Sequence, residues 1–307
     1  MFEIVFLGTS ASAPSIKRGL SAQVVMYNEY RFLIDCGEGT QRQMLKSGIG
    51  FKRLDKILIT HGHLDHILGL GGLVSTLSRW ETYERLEIYA GASALSRIKD
   101  LLLGVVLRKA STSLKIKFIP LEPGMSIVED DRFYVRAFPV QHRGPDCFGF
   151  VFQEKSRHPF LAEKAALLGI PVGPERKTLV SGKPITLPDG RVISPEDVLG
   201  EPVPGAKLVF IGDCGRTDNL VQHARNADLL VTEATYLEEE AEMAEQFGHL
   251  TAARAAALAV EANVDQLCLT HLSRRYREND VQMEAQAVFP NARVVRDFDR
   301  IQTSKTK

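Results

Sequence analysis

Between Thr60 and His66 the chain reads THGHLDH, with His61, His63, Asp65 and His66 crowded into one short stretch. Imidazole and carboxylate are the usual protein ligands of catalytic zinc, and such sites leave a position open for water. A single histidine in a loop is most often structural, but this HxHxDH spacing directly follows the apolar run LDKILITH, which reads as a buried strand. In a loop after such a strand, His61 and His63 can point to one side while Asp65 and His66 reach a second point nearby. One loop can then serve two metal sites. The remaining ligands should stand at the ends of other strands, and three candidates do: His142 closes RAFPVQH, Asp213 closes KLVFIGD and His271 closes VDQLCLTH. Each alone could cap a turn; together with HxHxDH they complete two sites.

The elements that must position these residues alternate along the chain. FEIVFLG, SAQVVMY and YRFLIDCG read as strands, the last two joined by a tight turn at Asn28-Glu29. ILGLGGLVSTLSRW reads as a helix whose first turn is weakened by Gly69, Gly71 and Gly72. A strand LEIYAG, a helix around ALSRIKDLLLGVVL and the runs LKIKFIPL, MSIV and RFYVRAFPVQH follow, with Asp130-Asp131 at a hairpin turn. Residues 153–205 are rich in proline and glycine with one short helical run, and their scattered apolar residues predict a small ordered appendage rather than a passive linker. KLVFIGD, ADLLVTEAT, VDQLCLTH and ARVVRDFD then resume the strands, and TAARAAALAVEA is a helix entered through a Thr251 cap. This order predicts a layered α/β domain with helices covering a β-core.

Composition is that of an ordinary globular chain: 307 residues, 44% hydrophobic and 25% charged, enough for one large domain or two. No apolar run is long enough to cross a membrane, and the N-terminal MFEIVFLG lacks a basic region, so neither a membrane partner nor export is expected. Cys36, Cys147, Cys214 and Cys268 form no CxxC pair and read as reduced thiols of a cytoplasmic protein. Lys+Arg and Asp+Glu balance at 38 each, so a polyanion would be met by local or metal-borne charge. GTSASAP and GEGTQRQ match neither GxGxxG nor GxxxxGK[ST]; they are assigned to the site edge, and no nucleotide cofactor is expected. His158 and His223 match no motif and are left as structural or surface residues, and Asp35 is assigned to supporting the histidine loop.

THGHLDH, PVQHRG, IGDCGRT and LTHLSRRY, in that order, resemble the metallo-β-lactamase superfamily. FLGTSASAPS, DCGEGTQRQM, TEATY, GHLT and the arm segments EKAALLGIPVGP and DGRVISPEDVLG resemble its ribonuclease Z family, short form, over almost the whole chain. The resemblance implies a four-layer αββα fold forming a single domain over residues 1–307, with a flexible tRNA-binding arm inserted at 153–205. It implies His61, His63 and His142 on one metal, Asp65, His66 and His271 on the other, and Asp213 bridging. The implied cofactors are two zinc ions per subunit, although nitrogen and oxygen donors also accept manganese or iron. A hydroxide bridging the metals would attack phosphorus, with Asp65 beside it, and Glu233 with His249 would protonate the leaving oxygen. Thr232 departs from the family, which usually has histidine there, so support around that pair is expected to be weaker. Arg275 is a candidate phosphate clamp, because guanidinium matches phosphate geometry bidentately; Arg274 is read as solvated. On the arm, Arg176, Lys177 and Lys183 with Gly173-Pro174 at a bend would form a small basic tip on the tRNA elbow. The implied function is removal of the 3′ trailer of precursor tRNA after the discriminator nucleotide, by a homodimer in which one subunit's arm serves the other's active site. Another hydrolase of the superfamily, acting on phosphodiesters or thioesters, and a non-catalytic RNA-binding module are the competing readings.

Overall fold

The computed structural model describes residues 1–80, 83–108 and 112–303. Alternation within the short apolar runs divides each strand's side chains between two buried faces. Phe32 and Ile34 enter one cluster while Leu33 enters another; Leu208 and Phe210 part from Val209 in the same way. Two such two-sided sheets must pack against each other and be covered outside.

The first sheet has seven strands in the order Arg300–Gln302, Glu3–Gly8, Ala22–Tyr27, Tyr30–Ile34, Leu54–Leu58, Arg85–Ala90 and Lys115–Pro120. The second also has seven, in the order Ala292–Val294, Gln266–Thr270, Leu229–Glu233, Lys207–Phe210, Cys147–Glu154, Phe133–Val140 and Ser126–Glu129. Between the sheets lies an aromatic core in which Phe2, Phe32, Phe133, Phe150, Phe152 and Phe210 are all buried, with Phe32 and Phe152 edge-to-face at 5.4 Å. Helices Thr40–Lys46, Gly69–Leu77 and Ala92–Lys99 cover the outside of the first sheet; Ala252–Glu261 and Glu278–Val288 cover the second. This is the expected four-layer αββα arrangement. Leu54–Leu58, Lys207–Phe210 and Gln266–Thr270 belong to the parallel part of each sheet, so the loops leaving them open from the same kind of strand end. Open α/β sheets place ligands there.

Several elements differ from the sequence reading. Cys147–Glu154 is a strand buried along most of its length, so it lacks the alternation that marks a half-exposed strand; the added methyl of an alanine at Gly149 would stand 2.4 Å from Phe138. Helices Thr40–Lys46, Ala241–Phe247 and Glu278–Val288 and strand Arg300–Gln302 also went unread. ILGLGGLVSTLSRW is broken: Leu64–Ile67 is one turn and Gly69–Leu77 a second helix. The break has a packing cause. The Gly69 N–H donates to the Cys36 carbonyl at 2.8 Å, and the Cys36 N–H donates to that of His66 at 2.8 Å, docking the histidine loop on the Asp35–Gly37 turn. A Cβ at Gly69 would lie 2.0 Å from the Gly37 oxygen. Backbone cannot yield as a flexible side chain does, so Gly69→Ala is expected to cost about 1–3 kcal/mol or more. A thermal melt with and without zinc checks this; an unchanged midpoint and unchanged zinc response would refute it.

The Ala-rich helix begins where its cap was expected: the Thr251 hydroxyl accepts from the Arg254 N–H at 3.2 Å. No helix among the described residues is long and apolar enough to cross a membrane.

The chain divides into two compact units, residues 1–153 with 206–307, and residues 154–205. The smaller unit has its own core of Ala165, Ile170, Leu179, Leu187, Ile193 and Val198. It contains two helices, Ala162–Leu167 and Pro174–Val180, where the sequence reading found one. Gly173-Pro174 is a helix start rather than a plain bend, because proline's fixed φ and missing N–H suit a helix's first turn.

Candidate metal centre

The histidine loop is held from beneath by Asp35. This residue ends the run YRFLID with φ 55°, in the left-handed region, and is fully buried. Its carboxylate accepts the Thr60 N–H at 2.8 Å, the Thr60 hydroxyl at 2.9 Å and His66 Nδ1 at 2.7 Å. The expected supporting role is what the structure shows.

Two donor sets converge above it. His61, His63, His142 and Asp213 form one, and Asp65, His66 and His271 the other, with ligand atoms within 4.8 Å of one another in each. Asp213 spans both: Oδ2 lies 3.7 Å from His61 Nε2 and 3.5 Å from His66 Nε2, and Oδ1 lies 3.4 Å from His271 Nε2. Asp65 Oδ2 is 3.6 Å from His66 Nε2 and 3.5 Å from His271 Nε2, and it accepts the Ser12 N–H at 2.9 Å. His63 enters through Nδ1, 3.4 Å from His142 Nε2. His271 itself has φ 55°, a cost expected at a site that the surrounding fold over-determines.

The inward nitrogens of His61, His66, His142 and His271 are each aimed by a partner on the other ring nitrogen, and two buried carboxylates serve four rings. Asp35 takes His66 directly and His61 through Thr60, whose Oγ1 is 3.0 Å from His61 Nδ1. Glu233 takes His249 directly, at 2.9 Å, and His271 through Thr235, whose hydroxyl bonds Glu233 and lies 3.1 Å from His271 Nδ1. His142 Nδ1 faces the Gly248 carbonyl at 2.6 Å. The network closes when Nδ1 carries the proton on these rings, an assignment made from the hydrogen bonds, leaving Nε2 of His61, His66, His142 and His271 for a ligand. Thr60 and Thr235 were not singled out from sequence; each lies within a motif, THGHLDH and TEATY, that was. Asp35→Ala is expected to leave these groups unpartnered, to cost about 3–5 kcal/mol as for any broken buried pair, and to weaken metal binding about 10–100-fold. Denaturant melts and metal titration test it, and a native-like affinity would count against the role.

The residues fit divalent metal. Nε2 of His61, His66 and His271 and Oδ1 of Asp213 are buried without a hydrogen-bond partner among the described residues, and all belong to the two converging donor sets. Such orphaned atoms are costly unless a cation satisfies them. Burial holds His61 well below the usual histidine range, and lowers His63 and His142 too. Those rings are therefore neutral, with lone pairs available. Burial opposes ionisation of Asp213, but His271 and His66 overcome it and hold the carboxyl well below its ordinary value.

His249 lies 4.0 Å from Asp213 through Nδ1, yet that nitrogen is committed to Glu233. Burial opposes charging of its ring; Glu233 prevails and raises its pKa to about 9. The pair closes without Thr232, whose buried hydroxyl has no partner among the described residues. Arg275 is exposed at the rim of a cavity of about 620 Å³ that His63 and His249 also line, and its guanidinium bonds Glu240. Arg274, read as solvated, lines the same cavity. On the smaller unit, Arg176 donates to the carbonyls of Pro171 and Ile170 at 3.1 and 2.9 Å and so braces its own helix, while Lys177 and Lys183 are exposed. His158 meets the Gly200 carbonyl and His223 stacks on Phe138.

The four layers and the seven-residue donor set define a metallo-β-lactamase-class hydrolase. Residues 181–272 match the model of the beta-lactamase superfamily domain, and residues 2–159 match the model described as anti-Pycsar protein Apyc1. A metallo-beta-lactamase fold protein of Bacillus subtilis superposes with a TM-score of 0.69 over 98% of this chain and 100% of its own, at 17% identity. Ribonuclease Z of Bradyrhizobium sp. (strain ORS 278) is 46% identical over 98% of this chain and 99% of its own, and that of Archaeoglobus fulgidus is 40% identical over 97% and 96%. Human tRNase Z, short form, is 27% identical with a TM-score of 0.68, covering 98% and 99% of the two chains. The chain belongs to the ribonuclease Z family of nucleases.

Proposed function

We propose that this protein is a zinc-dependent endoribonuclease that removes the 3′ trailer of precursor tRNA after the discriminator nucleotide. The observation carrying this reading is Asp213 spanning two donor sets beside the Glu233–His249 pair, within a chain alike over nearly its whole length to curated ribonucleases Z. His61, His63 and His142 would hold one cation, Asp65, His66 and His271 the other, and Asp213 would contribute to both. Zinc suits this nitrogen and oxygen set, as would manganese or iron. Two such ions supply water activation and neutralise charge building on the phosphoryl group.

The chain's own residues do the rest. Asp65, kept in place by the Ser12 N–H, accepts the proton of the attacking water. His249, charged through its bond to Glu233, delivers a proton to the departing 3′ oxygen of the discriminator nucleotide. Arg275 exchanges Glu240 for substrate phosphate. The products are a tRNA 3′-hydroxyl and a trailer 5′-phosphate. Residues 154–205 act as the arm on the body of the tRNA, with Lys177 and Lys183 toward its backbone and Arg176, Gly173 and Pro174 shaping the tip. The protein works as a cytoplasmic homodimer, and its binding weakens with salt as phosphate contacts require.

An end-labelled precursor tRNA with a 3′ trailer, incubated with the zinc-loaded protein, tests the reading. A single cut beside the discriminator, lost in Asp65→Ala, is expected; deletion of the arm should abolish tRNA cleavage yet spare a small phosphodiester. An intact precursor alongside turnover of a small phosphodiester or thioester would move the substrate elsewhere in the superfamily.

A further inference from the structure

Phe247 ends helix Ala241–Phe247 and remains 36% exposed. A lone exposed aromatic needs no explanation; the surroundings of this one do. The Arg143 guanidinium lies over its ring at 5.5 Å, and both residues line the cavity of about 620 Å³ that holds His63, His249 and Arg275. Arg143 follows the metal-site residue His142, and Phe247 stands two residues before His249. The bond from His142 Nδ1 to the Gly248 carbonyl, at 2.6 Å, ties the two segments together. Gly248 itself has φ 67°, and a Cβ there would come within 3.0 Å of Arg143 Cγ. Glycine at 248 thus lets the arginine stem lie close beside the segment carrying the ring. Ring and guanidinium are therefore held in fixed register with the reaction centre.

We propose that Phe247 and Arg143 form a stacking seat for the discriminator nucleobase, an inference that rests on the tRNA-cleaving reading above. The leaving 3′ oxygen that His249 protonates belongs to the discriminator ribose, so the base on that ribose is the one nearest the Phe247 rim. Every base has a π-face, so such a seat grips the nucleotide without demanding its identity, and a guanidinium plane widens the platform. Its role is to hold the ribose so that its oxygen meets His249.

The test crosses protein and substrate changes. Metal-loaded full-length wild type, Phe247→Leu and Phe247→Trp are each given precursor tRNA with an intact or an abasic discriminator. Phe247→Leu keeps apolar bulk and removes the π-face; it should lower kcat/KM on the intact substrate about 5- to 150-fold, and Phe247→Trp should restore it. The abasic substrate should cost wild type a similar factor and cost Phe247→Leu almost nothing further. Losses that simply multiply, or coupling only to an abasic first trailer nucleotide, would overturn the seat while leaving the cleavage reaction standing. Failure of wild type to cut the intact precursor would instead sink the functional reading.

Discussion

Asp213→Ala is expected to take precursor cleavage down by on the order of a thousandfold or more, with bound metal falling toward zero. Its carboxylate faces both donor sets. Its Oδ2 lies 3.5 Å from His66 Nε2, 3.7 Å from His61 Nε2 and 3.9 Å from His142 Nε2, and its Oδ1 lies 3.4 Å from His271 Nε2. Without that carboxylate the His61, His63 and His142 set keeps no anion of its own, Asp65 stays beside Nε2 of His66 and His271, and any cation bound there loses a shared anion. Asp213→Asn keeps the volume and removes the charge, so it should fail nearly as badly if charge rather than shape is what matters. Elemental analysis of the purified variants, paired with cleavage assays, decides it. A variant retaining the wild-type metal content and native cleavage would show that Asp213 does not bridge.

His249→Ala is expected to slow RNA cleavage by about a hundred- to ten-thousandfold while slowing a p-nitrophenyl phosphodiester only a few-fold. The reasoning is in the leaving group. A ribose 3′ oxygen departs as an alkoxide unless a proton reaches it, whereas nitrophenolate is stable as an anion at neutral pH. A donor therefore matters for one substrate and hardly for the other, and equal losses on both would make His249 a structural or metal-holding residue instead. Glu233→Gln should lose less on RNA than His249→Ala but should also disturb metal binding, because the same carboxylate reaches His271 through Thr235. That second effect separates an orienting carboxylate from one that serves the donor alone.

Much of the metal centre was legible because its ligands are local or punctuated. His61, His63, Asp65 and His66 share one loop, and the step from an apolar strand into that loop is visible as a change of period. His142, Asp213 and His271 each stand where a run of strand-like residues stops, and strand ends are where layered α/β proteins place chemistry. The elements that escaped notice have physical reasons too. Cys147–Glu154 hides as a strand because it is buried on most of its length. Pro174 opens a second helix in the small unit where proline read as a bend.

By itself the sequence determined the inventory: which donors the chain owns, that they follow strands, and that the alternating apolar runs must close into layers. Only the tertiary structure decided how they work together. Asp35 and His66 lie 31 residues apart, and His142 and Gly248 lie 106 apart, yet each pair shares a hydrogen bond that aims a ring at the centre. The same is true of the platform made by Arg143 and Phe247. Periodicity reports which face of an element is buried; it carries no record of which distant residue will be packed against it, because that choice is made by the whole core as the two sheets close.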